Sequence, residues 1–148
     1  MRTVLDERDL DALCRRVASL TPASSPRWGS LTVGGMVGHL IQSARMALGE
    51  LTAEPRGKRA FRTFPLKHLF LYVLPFPKGA PTSRALLVVE PGPLEAEHKE
   101  LHALLRRLGS GPRSGMGPTH PLFGQLSRQA WGSLMYKHTD HHLRQFGA

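Results

Sequence analysis

Trp131-Gly-Ser-Leu-Met-Tyr-Lys-His138-Thr-Asp-His141-His142-Leu-Arg-Gln145-Phe146 is the stretch whose reading decides the fold of this chain. At about 100° per residue, positions 134, 135, 138, 142, 145 and 146 of a helix fall within roughly 60° of Trp131. A helix capped by Ser127 and running to about Phe146 thus buries Trp131, Leu134, Met135, His138, His142, Gln145 and Phe146 on one face. His141 stands about 80° away, at the edge of that face. Imidazoles four residues apart lie one turn above each other, and both can reach one ion at about 2.0–2.1 Å. His138 with His142 meets that condition at the centre of the stripe. Two histidines and a glutamine among apolar residues are costly unless something satisfies them. The bland alternative is a solvated helix end whose cations complement the dipole.

The rest of the chain supplies faces for this helix to pack on. A first helix is predicted from about Asp6 to Ser19, with Leu10, Leu13, Cys14 and Val17 on one side, acidic residues in its first turn and Arg15-Arg16 near its end. A second runs from about Thr32 to Leu48, capped by Ser30 or Thr32. Its wide apolar arc, and the small residues Gly34, Gly35 and Gly38 that would admit a close neighbour, suit an interior helix. His39 sits at the edge of that arc, where a lone histidine is usually a hydrogen-bonded core residue. A third helix spans about Leu94 to Leu108, and Gly109 is expected to end it. Gly109 to Pro118 reads as a loop, followed by Thr119-His120-Pro-Leu-Phe-Gly124 leading into the last helix.

Between the second and third helices the pattern weakens. Arg56 to Arg62 reads as an exposed basic loop, and Phe64 to Leu74 as a short helix or a strand. Pro75-Phe-Pro-Lys-Gly-Ala-Pro81 reads as a rigid connection. The expectation is one all-α domain over residues 1–148, a four-helix bundle with a long crossover between its second and third helices.

Composition limits the partners. The chain has 148 residues, 41% hydrophobic and 21% charged, as soluble domains do, and no apolar run approaches the ~18 residues of a membrane span. Charges in the first nine residues stand where a signal peptide would be apolar, so the cytoplasm is expected and a membrane is not. The single Cys14 excludes an internal disulfide and reads as a structural thiol. A net charge of +9 raises the question of a polyanion. The arginines are dispersed over separate elements, however, and nucleic acid is the weakest reading. No Ser/His/Asp or phosphate-loop pattern is present, and no carboxylate shares the face of the histidines, so no catalytic residue emerges. Asp140 points away from the stripe. His120 reads as a loop-capping residue, Trp28 and Trp131 as core, and Gln145 either as a support for the site or as a packing amide.

Arg27-Trp-Gly-Ser-Leu-Thr-Val-Gly-Gly-Met-Val-Gly-His39-Leu, His120-Pro-Leu-Phe-Gly124, Lys78-Gly-Ala-Pro-Thr82 and Tyr136-Lys-His-Thr-Asp-His-His-Leu-Arg-Gln-Phe-Gly147 together resemble the DUF1569 proteins, uncharacterised bacterial proteins within the DinB/YfiT-like superfamily. The resemblance covers nearly the whole chain. It implies a four-helix bundle, often dimeric, with one metal-binding histidine from the second helix and two, four apart, from the last. Matched by motif these are His39, His138 and His142. The implied cofactor is a divalent metal ion, zinc or nickel first among the candidates, which three imidazoles suit, with a low-molecular-weight thiol as the implied co-substrate. The function so implied is a metal-dependent enzyme, a thiol-dependent S-transferase or a hydrolase using metal-activated water, acting on a small molecule, in a homodimer. The alternative is a non-catalytic metal-binding or stress-response module.

Overall fold

The computed structural model describes residues 1–55, 57–77, 86 and 91–148. Asp6 opens α1 (Glu7–Ala18) by accepting the backbone N–H groups of Arg8 and Asp9, and Leu10, Leu13 and Val17 bury its inner face. α2 (Val33–Leu48) is capped by Thr32, whose hydroxyl accepts Gly35 N–H, and ends on Gly49 in the left-handed conformation glycine favours. It is buried on nearly every side, as its uninterrupted apolar arc requires. Gly34 meets Pro91 rather than a helix: a Cβ there would stand 3.0 Å from the proline ring.

A 3₁₀ turn (Arg59–Arg62) lies inside the stretch expected to be a basic loop. α3 (Leu66–His68) then runs directly into a π-helical turn (Leu69–Val73), so helix rather than strand forms here. The Lys78–Thr82 motif, and Arg56 within the basic stretch, lie outside the described residues. α4 (Leu94–Ser110) follows, then the antiparallel strands β1 (Met116–His120) and β2 (Gly124–Ser127), and last α5 (Arg128–Gln145). The four longer helices touch in the cycle α1–α4–α2–α5–α1, and the hairpin packs on α2 and α5. Their common core includes Leu13, Met36, Leu40, Leu101, Leu105, Met135 and Leu143. No described helix is long and apolar enough to cross a membrane.

The all-α four-helix bundle is therefore corrected. The described chain has five helices and a two-stranded sheet, 56% helical and 7% strand, a mixed α/β architecture. The hairpin escapes a pattern search because its strands, Met-Gly-Pro-Thr-His and Gly-Gln-Leu-Ser, show no apolar alternation. Pro118 has no N–H to give the ladder, and the register shifts between Met116 and Thr119. Three other contacts hold it. His120 Nδ1 accepts the N–H groups of Leu122 and Phe123 across the turn, Trp131 Nε1 donates to Pro118 O at 2.8 Å, and Phe123 and Leu126 enter the core.

Gly109 likewise does not end its helix. It lies inside α4, where a Cβ would stand 2.7 Å from Val4 O and 2.9 Å from Leu10 Cδ2. The glycine is there to let the N-terminal segment lie against the helix. Gly109→Ala should consequently destabilise the protein by about 1–3 kcal/mol, against the roughly 1 kcal/mol that alanine gains in an unobstructed helix. Urea denaturation measures the sign, and a more stable variant would contradict the close approach.

Candidate metal centre

Two helices bring the site together. His39 comes from the middle of α2, where it is buried at 3% exposure; His138 and His142 come from the second half of α5, with His142 at 9%. Their Nε2 atoms converge. His138 Nε2 lies 3.0 Å from His39 Nε2 and 3.2 Å from His142 Nε2, and one ligand atom from each residue falls within 4.8 Å of the others.

The outer nitrogens decide what the inner ones can offer. His39 Nδ1 is 3.0 Å from Leu86 O, a group that only accepts, so Nδ1 carries the proton and Nε2 presents a lone pair. The Gln145 amide is oriented in the same way. Its Nε2 donates to Trp28 O at 2.7 Å, which leaves Oε1 to accept from His142 Nδ1 at 2.8 Å. His142 Nε2 is then also a bare acceptor. Between these two lone pairs sits His138 Nε2, which as a neutral ring carries one proton at most and can satisfy one neighbour only. A cation bound by all three nitrogens would satisfy the lone pair that hydrogen bonds leave over. Bonds of about 2.0–2.1 Å from imidazole nitrogens to one ion place those nitrogens roughly 2.9–3.4 Å apart; the two pairs that include His138, at 3.0 and 3.2 Å, lie within that range, and the third lies within 4.8 Å.

Electrostatics keeps the imidazoles neutral, the state a ligand needs. Burial pushes His39 below the ordinary histidine range, against the opposing effect of the Leu86 hydrogen bond. Burial, then the proximity of His39 and His142, takes His138 well below it. For His142, burial first and His39 second lower the value to about 4, although Gln145 favours the charged form.

His141 adjoins this group, its ring edge-on to His142 at 5.3 Å, without joining it. Its ring lies edge-on to Trp28 at 5.8 Å and to Phe76 at 5.9 Å, and it is not one of the clustered ligands. Asp140 pairs with Arg16 at 2.6 Å and Arg144 at 2.9 Å, away from the histidines. Trp131 is core at 2% exposure, whereas Trp28, read as core from the sequence, is half-buried and brings its carbonyl to Gln145. Cys14 is half-buried on α1, and burial raises its thiol.

Some participants have no sequence signal. The carbonyls of Leu86 and Trp28 belong to any residue, and the Phe76 ring, 5.6 Å from His138, comes from a Pro-Phe-Pro stretch legible only as a rigid connection. Lys137 is another such residue. Its ammonium donates to Phe70 O at 2.6 Å and lies 5.2 Å from the Phe76 ring centre, which ties the crossover down beside the site.

The His142 shift has a consequence for the metal-free protein. Its unfolded imidazole takes up a proton near pH 6.5, but the folded one does so only near pH 4. Acid therefore favours the unfolded chain. The stability present above pH 6.5 should fall by about 3 kcal/mol through this residue as pH drops towards 4. Denaturation of chelator-treated protein at stepwise lower pH checks this, and His142→Gln should flatten the slope.

No curated protein and no solved structure matches the chain significantly. A protein family does match, over residues 1–148, and its description is "Protein of unknown function (DUF1569)". The chain, with its buried cluster of three histidines, belongs to the DUF1569 family.

Proposed function

We propose that this protein binds one divalent transition-metal ion, zinc or nickel foremost, through Nε2 of His39, His138 and His142, and uses the open coordination position to bind an anionic small molecule. The convergence of three neutral Nε2 atoms, two of them with their tautomers set from outside, is the observation that carries this reading. Among the described residues no carboxylate or thiol joins the cluster. Three protein ligands are the number found in catalytic zinc sites, where a fourth position serves water or substrate. Neutral ligands also leave the ion its full charge, which favours an anion such as a thiolate in that position.

When bound, the ion would supply Lewis acidity and a lowered pKa for what it binds. The chain's own part is to hold the three rings in place through Leu86, Gln145 and Trp28, and to wall the site with Phe76. On this basis we read the protein as a metal-dependent transferase acting on a thiol, or a hydrolase. Kinship with the DinB/YfiT-like proteins is part of the same proposal. It rests on the ligand pattern, one histidine from the second helix and two from the last, and not on the overall architecture.

A structural role for the ion has one observation in its favour: the cluster ties α2 to α5. A large loss of thermal stability on chelation, with no turnover of thiol or ester substrates, would select that role.

Elemental analysis of purified protein should find about one ion per chain, as a single three-histidine centre requires. His142→Ala should abolish loading and His141→Ala should leave it intact. Gln145→Leu should weaken affinity by about 10- to 100-fold, the usual cost of removing a partner that orients a ligating histidine. Equal metal content in wild type and in a variant with all three histidines replaced by alanine would sink the reading.

A further inference from the structure

The acidic residues are unevenly placed. No Asp or Glu occurs between Glu54 and Glu90, a stretch that holds seven Lys or Arg, nor between Glu100 and Asp140. The first stretch is the crossover between α2 and α4; the second contains the hairpin and most of α5. The fold places these two against each other. Arg62 donates to Pro121 O at 3.3 Å, Lys67 to Gln125 O, and Lys137 of α5 to Phe70 O. Lys58 and Arg59 are exposed beside them.

The same short segment turns apolar side chains outward. Phe64 is 83% exposed, Val73 65%, Leu66 37% and Leu74 36%, while Leu71 between them is buried in the core and Phe70 and Tyr72 pack against it. Four large apolar residues on an eleven-residue piece of surface, bordered by cations, are the composition of an interfacial segment. Cations alone would suit any polyanion. A nucleic acid could stack a base on Phe64 but offers nothing to exposed Leu66, Val73 and Leu74, whereas the boundary between lipid headgroups and acyl chains accepts all of them together with the cations.

We infer that the crossover surface around Phe64, Leu66, Val73 and Leu74, with Lys58 and Arg59, docks on an anionic phospholipid bilayer. This departs from the expectation drawn from the sequence, that no membrane is a partner; that expectation rested on the lack of an apolar span, which a surface contact does not require. The docking surface adjoins the histidine cluster, because Phe76 of the same crossover packs on His138.

The test is co-sedimentation of the full chain with vesicles of phosphatidylcholine alone and of equal parts phosphatidylcholine and phosphatidylglycerol. Wild type should pellet with the second and not with the first, and added salt should release it. Phe64→Ser with Val73→Ser, and separately Lys58→Glu with Arg59→Glu, should each reduce partitioning at least about tenfold. All four residues are exposed, so both variants should keep the wild-type helical circular dichroism. Their metal content should be unchanged, so this inference and the metal reading fail separately. Three results would overturn it: no pelleting of wild type, an apolar variant that pellets like wild type while the protein binds heparin or RNA, or an apolar variant whose only change is a smaller oligomer.

Discussion

Three converging ring nitrogens, with His138 Nε2 at hydrogen-bond distance from the other two, are the constraint around which the structure is arranged. Two of them are obliged to be acceptors by the carbonyls behind them, and one proton on His138 cannot serve both. Burying this arrangement between α2 and α5 costs free energy that apolar residues in the same places would not. Around it the surroundings are specific. The Trp28 loop is held at Gln145 by the Arg27 N–H as well as by the Trp28 carbonyl, and the crossover is drawn in by Lys137. Segments distant in sequence are thereby tied to the two helices that carry the ligands.

How much of this was legible depended on whether local geometry or distant packing decided it. The helical step is a fixed angle, so the phase of His138 and His142 against Trp131, and the exclusion of His141, could be read from one stretch. The cap at Ser127, and Thr32 as one of two candidates for the second helix, were legible for the same local reason, whereas Asp6, expected within the first turn, is the cap before it. His39 was legible only as a candidate, mid-helix on a helix nearly free of charge; its edge position on α2 gives no hint of the residue it will face, and the family resemblance decided for it. The hairpin was invisible for lack of alternation. Gly109 misled because a glycine near a helix end reads as a stop, and its real reason, the backbone of Val4, lies more than a hundred residues away in sequence.

The chemical character of the site follows from what surrounds it. A hard cation such as magnesium or calcium takes oxygen ligands, and among the described residues the cluster offers nitrogen alone. Its setting is also unfavourable to any cation held by charge: the protein is basic overall, and both stretches that border the site lack acidic residues. An ion here must be held by the strength of individual metal–imidazole bonds, which singles out transition metals. The same reasoning governs the open position. Neutral ligands in a cationic setting leave the ion's charge uncompensated, so the molecule that completes the shell gains most if it is itself an anion. A thiolate meets that condition through a soft donor atom, and a carboxylate or phosphate through a hard one. For an ion held as proposed, the softness of the metal would therefore set which of these the site prefers, and with it the class of small molecule that completes the shell.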